Sequence, residues 1–290
     1  MGKCKATVEF SLDCEKIWGM KSGIPKGYLL KNIARSDHSL SRIIAEWTHG
    51  TLYLAFVMKS LPLCKASNED LVFLANRGYA EYASRKFTQF ETFEDYSIAP
   101  NVKLGLHSTC HRHYTELDSV DLNLEISEIN KFVAKNKKYS EIFVYPKNLV
   151  DSQSLSEYSK TFKKIRVNSA SWLYRTSPRG VSLTRRMLRY LDSFFPIFEL
   201  FCNKRPEYSL DNAIVGTHFF RANLPSFLLV LHYIRIRIGI KLMKSLGIDS
   251  HVWSHPHNFG GREVAIKLFA LLARSSEPCF KDNYRVRQKE

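Results

Sequence analysis

Three histidines fall within seven positions of the run GLHSTCHRHY, and three more within HVWSHPH at 251–257, so six of the chain's ten lie in two short stretches. Imidazole binds metals and moves protons near neutral pH, which makes such clustering a chemical signal. HSTCH offers His107 and His111 at i and i+4. If the loop turns helical, both rings project from one face and can share a metal ion. Taken alone, such a pair fits two solvated or capping histidines better. His113 breaks the spacing and is expected on the surface, outside any site. Upstream, SLDCE sets Asp13 and Glu15 two residues apart. On an extended strand they share a face, and two acids so placed can divide their work, one binding a cation and the other acting as a base. The plainer alternative is a strand end running into an exposed loop. A cysteine nucleophile, Cys14 or Cys110, is the weaker chemistry, because buried thiols are usually inert. HVWSHPHNFGG puts His251, Trp253 and His255 on one side of a strand before Pro256, Gly260 and Gly261 force a loop. His255, at the strand end, is a candidate general acid; the competing reading packs Trp253 and leaves the histidines in solvent.

Elements able to position these residues are legible in the apolar patterning. Strands are expected over 6–12, 51–57, 102–106, 140–146, 163–168 and 249–255, each bounded by turn residues. Helical periodicity runs between them, over 40–47, 67–85, 122–135, 155–162, 183–195 and 263–274. Alternation of this kind predicts an α/β fold with a mainly parallel sheet. Asp13, His107 and His255 then follow three separate strands, and active sites of parallel α/β folds assemble at strand carboxyl ends. With no internal repeat and no low-complexity linker, one domain is expected over residues 1–290.

Composition narrows the setting. Of 290 residues, 44% are hydrophobic and 24% charged, suiting a chain with a sizeable core. The formal net charge of +15 is spread through KNKK, KTFKK, TRRMLR and RIRIGIK, so it fits an anionic membrane surface or a lipid-phosphate-linked substrate as readily as a nucleic acid, and a basic surface with no dedicated ligand as readily as any of these. No aromatic RNA-binding signature, zinc-finger spacing or DNA-reading helix accompanies it, and nucleic acid is not expected as a partner. The most apolar stretch, Leu224 to Ile240, is interrupted by His232, Arg235 and Arg237 and falls short of the roughly 20 residues needed to span a bilayer. The N-terminus enters a strand pattern at once, so no secretory leader is expected. Six cysteines without a CxxC pair suit a reducing compartment, the cytoplasm, with room for peripheral contact at the inner membrane.

FSLDCEKIWG, LGLHSTCHRHY and HVWSHPHNFGG, in that order, resemble the NodB-homology polysaccharide deacetylases, in particular bacterial members found with surface-polysaccharide biosynthesis. HSTCH matches the family's H-[ST]-x-x-H motif at every fixed position. VYPKN and IRVNSASWLYR resemble its FPRN and YRGN…WLYR segments, and TRRMLRYLDSFFP and IRIRIGIKLMKSLG extend the likeness over about residues 6–275.

That resemblance implies an irregular (β/α) barrel and a metal-dependent carbohydrate N-deacetylase. It assigns Asp13 as catalytic base, Glu15, His107 and His111 as ligands to a divalent metal (Zn²⁺ foremost), Arg166 as the partner of the base, and His255 as general acid. The implied substrate is an N-acetylated sugar, an oligosaccharide or a lipid-linked glycan. Two positions depart from the pattern: Glu15 stands where aspartate is commoner, and Arg166–Val167 replaces Arg-Pro. Trp18, Trp172, Trp253 and Tyr174 are candidates for stacking on a sugar ring. Three alternatives remain at this level: an inactive carbohydrate-binding member of the same fold, a hydrolase of another C–N bond, and a basic nucleic-acid-binding protein.

Overall fold

A computed structural model describes residues 6–19, 26–64, 85–90, 99–167, 182–197 and 211–274, with isolated positions 67, 68, 72, 74, 76, 79, 173 and 174. Eight strands form one sheet: β1 (Val8–Cys14), β2 (Leu52–Phe56), β3 (Val102–Leu106), β4 (Ile142–Val144), β5 (Ile165–Val167), β6 (Ala213–Val215), β7 (His218–Phe219) and β8 (Ser250–Ser254). Every pairing is parallel, in the order β6-β5-β4-β3-β2-β1-β8-β7. The two ends of that order are consecutive in sequence, since only Gly216 and Thr217 separate β6 from β7. Two residues span at most about 7 Å, so this short segment must bridge the β5 and β8 edges. The Thr217 N–H bonds the His251 carbonyl at 3.1 Å, sealing the passage. The result is an irregular barrel, as the (β/α) resemblance implies, with no long free edge among the described residues.

Side chains alternate across the barrel wall with period two. On β1, Val8, Phe10, Leu12 and Cys14 face outward into the main apolar core, while Ser11 and Asp13 turn inward to meet Arg166. A small apolar floor of Tyr53, Ala55, Ile142 and Val144 stands apart from that core. Lys164 bonds Glu9 and lies over the Tyr53 ring.

Helices α1 (Lys26–Ala34), α2 (Ser36–Glu46), α3 (Ser119–Lys135), α4 (Ser152–Thr161), α5 (Leu183–Leu191), α6 (Ser226–Ser245) and α7 (Glu263–Ala273) accompany the strands. Asp118 caps α3 by accepting from the Val120 and Asp121 amides, and Asp151 caps α4 through Ser154. Leu122, Ile126, Ile129 and Val133 form the buried stripe of α3, each worth roughly 2 kcal/mol of burial.

All six expected strands form, trimmed by a residue or two at most ends. β1 runs on to Cys14, which places Asp13 inside the strand instead of after it. β6 and β7 are additional to the expected strands, because strands of three and two residues carry no periodicity. α1 is likewise additional to the expected helices. Most of the helix expected over 67–85 lies outside the described residues, as does Trp172. No described helix is long and apolar enough to cross a membrane, and among the described cysteines Cys14 and Cys64 are free thiols.

Candidate active site and metal centre

The carboxyl ends of β1, β3, β5 and β8 bring six of the expected residues together. Glu15 Oε1 is the focus: His107 Nε2 lies 2.9 Å away, His111 Nε2 3.1 Å and His255 Nε2 3.3 Å. Glu15 is 5% exposed, His107 1% and His111 4%. Beside them Asp13 is gripped by Arg166 through two parallel bonds, Nη1 to Oδ1 at 2.7 Å and Nη2 to Oδ2 at 2.5 Å. His255 Nε2 stands 4.0 Å from Asp13 Oδ2, so it faces both acids.

Local backbone strain produces this convergence. Ser108 (φ 65°) and His111 (φ 64°) are both left-handed, and the His111 amide bonds Ser108 Oγ at 2.7 Å. The loop is therefore a turn and not the helical i, i+4 arrangement that the spacing suggested. The turn swings His111 back over His107 until the ring centroids are 4.8 Å apart. Lys16 (φ 46°), Lys147 (φ 52°) and Asn148 (φ 54°) are the other described non-glycine residues with positive φ. All five flank the carboxyl ends of β1, β3 and β4, and such strain persists only where the surroundings over-determine it.

Hydrogen bonding sets the tautomers. His107 Nδ1 donates to the Val144 carbonyl at 2.7 Å, which leaves a lone pair on Nε2 aimed at Glu15. A lone pair facing a carboxylate oxygen is repulsive unless a proton or a cation lies between them. His111 adds a second Nε2 at the same oxygen, and its buried Nδ1 has no partner. One carboxylate oxygen with two imidazole nitrogens at 2.9 and 3.1 Å from it, all enclosed, is a donor set that suits a small divalent cation. Glu15, His107 and His111 can hold one, and Asp13, Glu15 and His255 form an overlapping group. His255 differs from the other two. Asn258 Nδ2 lies 3.2 Å from its Nδ1, a donor there that leaves Nε2 to carry the proton toward the acids.

Electrostatics follow from this packing. Burial by itself would push the Glu15 carboxyl up, but the surrounding His255, His111 and His107 imidazoles hold it well below the usual carboxylate range. Burial pushes His111 down, outweighing Glu15. For His255, burial is overcome by Glu15 and Asp13, and the imidazole titrates above its ordinary value. The Cys14 thiol is pushed well up by burial and then by Asp13 and Glu15, which removes it as a nucleophile.

The surface expectation for His113 fails, as does the competing reading that leaves the histidines of 251–257 in solvent. His113 is 8% exposed, because its Nδ1 pairs with Glu116 at 2.8 Å and meets Lys147 Nζ at 3.2 Å; it still stands apart from the Glu15 focus. His251 and His257 are also buried, enclosed by the barrel and by the short helix Pro256–Phe259. Trp18 is core, donating to the Thr88 carbonyl, and Tyr174 is tied to Asp192 at 2.7 Å. Trp253 remains at the site, its ring 4.5 Å below the Arg166 guanidinium.

Several contributors escaped the sequence reading. Ser11 Oγ accepts from Arg166 at 3.0 Å and meets His251 Nε2 at 2.8 Å, and Asn148 accepts from Arg166 Nε at 3.1 Å. The inward period-two position of Ser11, two before Asp13, was the signal available for it. Glu125 of α3 accepts from the Thr109 amide at 2.7 Å, from the Thr109 hydroxyl, and from Tyr114 at 3.1 Å. A glutamate on the buried stripe of a helix was its signal.

No family model and no curated protein matches this chain. Among solved structures, it resembles a family 4 carbohydrate esterase from Streptomyces lividans in complex with acetate at 10% identity and TM-score 0.37, over 94% of this chain and 91% of that one. PuuE allantoinase is similar at 10% identity and TM-score 0.49, over 95% and 86%. A candidate polysaccharide deacetylase from Mycobacterium smegmatis matches at 10% identity and TM-score 0.50, over 94% and 85%. The chain therefore has the irregular (β/α)-barrel fold of the polysaccharide deacetylase type.

Proposed function

We propose that this chain is a metal-dependent hydrolase that removes an N-acetyl group from a sugar of a glycan or glycan precursor, using one catalytic domain within about residues 6–275. The observation that carries the reading is the convergence of His107 and His111 on Glu15 Oε1, beside an aspartate clamped by Arg166. The similarity to a carbohydrate esterase and a candidate polysaccharide deacetylase agrees with it.

Glu15, His107 and His111 would hold the cation, for which Zn²⁺ is the first choice. When bound, such an ion polarises an acyl oxygen and makes nearby water more acidic. The chain's own residues do the rest. Asp13, oriented by the two-point Arg166 grip, accepts a proton from the attacking water as its oxygen bonds the acetyl carbon. His255 Nε2 gives a proton to the sugar nitrogen as the C–N bond breaks, so acetate and a free amine leave. General acid assistance of this kind contributes on the order of 10²- to 10⁴-fold. Trp253, buttressed by Arg166 and by Phe219 at 4.5 Å, offers an apolar wall beside His255.

Elemental analysis of the purified protein should find about one divalent metal per chain. The His107→Ala, His111→Ala double variant should lose it, and a metal content indifferent to that change sinks the ligand assignment. Asp13→Asn should keep the metal yet release no acetate from N-acetylated oligosaccharides or from UDP- and lipid-linked N-acetylhexosamines. Metal binding without acetate release by the unaltered protein on any of these substrates would assign the fold to carbohydrate binding or to another C–N bond.

A further inference from the structure

Twelve of the eighteen exposed large apolar side chains among the described residues lie on one part of the chain, residues 183–195 and 227–246. On α6, Phe227, Leu231, Ile234, Ile238 and Leu242 are 41–69% exposed. Their spacing of four, three, four and four draws a stripe along one side of the helix. Arg237 and Lys241 are exposed along one margin of that stripe, and residues 212–248 contain no acidic side chain at all.

α5 repeats the pattern in sharper form. No residue of this helix is buried. Leu183, Met187, Tyr190 and Leu191 make an apolar face with exposures of 44–74%, while Arg189 on the other side reaches back to the Leu173 carbonyl and the Tyr174 ring. An amphipathic helix of a water-facing surface buries its apolar face; this one turns that face outward. The two helices are fastened together, Arg235 of α6 to Asp192 at 2.6 Å and His232 of α6 to the Ser193 carbonyl at 2.7 Å. Their stripes therefore belong to one region of the surface.

We propose that α5 and α6 form a docking surface for an anionic lipid bilayer. Cations beside an outward apolar stripe, without acids, match a membrane interface, where apolar side chains enter the acyl boundary and Arg and Lys meet lipid phosphates. A second copy of this chain would bring the same basic margin against itself. The surface also has a defined relation to the site. In a parallel βα unit the helix starts at the carboxyl end of the preceding strand, so the Phe227 end of α6 lies at the active-site end of the barrel. Phe219, at the end of β7, packs 5.6 Å from His255. Docking here would set the site's rim close to the lipid headgroups. The proposal stands on the surface alone and not on the deacetylase reading.

Co-sedimentation of the intact chain with vesicles tests it. Vesicles of phosphatidylglycerol in phosphatidylcholine should bind the protein at least about tenfold more tightly than phosphatidylcholine alone, and added salt should weaken the binding. Leu231→Ser with Ile234→Ser, and separately Arg237→Glu with Lys241→Glu, should each weaken it roughly tenfold or more. Leu124→Ser, at a still more exposed leucine of α3, should change nothing. Thermal melts of each variant confirm folding, and a variant that melts early is replaced by Phe227→Ser or Met187→Ser on the same stripe. Vesicle binding that ignores both double variants overturns the proposal. So does the absence of vesicle binding, whether or not sedimentation velocity shows a dimer that Leu231→Ser with Ile234→Ser dissolves.

Discussion

Glu15 owes its position to a side chain that is missing. A Cβ built on Gly19 would stand 1.8 Å from Glu15 Oε2 and 2.5 Å from its Cδ. The carboxylate therefore rests against bare backbone, one 3₁₀ turn after its own residue. The carboxylate is the most movable part of that contact, and with Glu15 Cβ also only 2.8 Å from the added atom, Gly19→Ala should shift the whole Glu15 side chain. Displacing a ligand by about an ångström, as losing an outer support does, should lower metal affinity on the order of 10- to 100-fold. Competition against a chelator measures it, with circular dichroism as the control for folding. Unchanged affinity in a well-folded Gly19→Ala protein would mean that Glu15 is not a ligand. The same logic makes Arg166 more than a counter-ion. It satisfies both oxygens of a buried aspartate and is itself satisfied by Ser11 and Asn148. Removing one partner of such a pair is far costlier than never having built it.

At the scale of elements, α3 holds the HSTCH loop without touching the site. Glu125 sits on its buried face and takes three hydrogen bonds, two of them from Thr109 in the middle of HSTCH. Burial raises the Glu125 carboxyl against the pull of Thr109 and Tyr114. Tyr114 in turn meets the Tyr158 hydroxyl of α4 at 2.9 Å. Glu125→Leu keeps the helix stripe apolar but leaves the Thr109 amide and hydroxyl unpaired, which costs roughly 1–3 kcal/mol each. The expected outcome is a lower urea midpoint together with metal affinity reduced about tenfold or more; a loss of stability with full metal affinity would confine Glu125 to a structural role. This device also shows where sequence reading stops. Strand ends carrying Asp13, His107 and His255 were legible because a barrel strand alternates and its carboxyl end opens on a cavity. The turn that brings His111 over His107 was not, because it depends on left-handed serine and histidine held from outside by Glu125, sixteen residues away. His113 misled for a related reason: its burial comes from Glu116 and Lys147, and no periodicity announces such partners.

At the scale of the molecule, the barrel is closed by one bent segment, 213–219, and that closure is lined with neutral imidazoles. Burial, then Arg235, holds His218 of β7 well below its ordinary range, and burial with Arg166 does the same for His251 of β8. Burial lowers His232 of α6 to about 4 and His257 to about 3. His232 joins the closure to two helices. Its Nδ1 donates to the Ser193 carbonyl and its Nε2 accepts from the Arg221 amide at 3.0 Å, an arrangement that requires the neutral ring. In the unfolded chain the same imidazole takes up a proton near pH ~6.5. Between that value and about 4 the unfolded state binds more protons than the folded one, so stability falls as pH falls and is fully present only above ~6.5. For His232 the loss from about pH 7.5 to about pH 5 amounts to roughly 2 kcal/mol. The other three imidazoles act in the same direction. Urea unfolding at those two pH values, in the unaltered protein and in His232→Gln, isolates the one contribution, and the variant should decline by about 2 kcal/mol less. Equal declines would show that His232 is already protonated in the folded barrel, and that the closure is not a neutral seam.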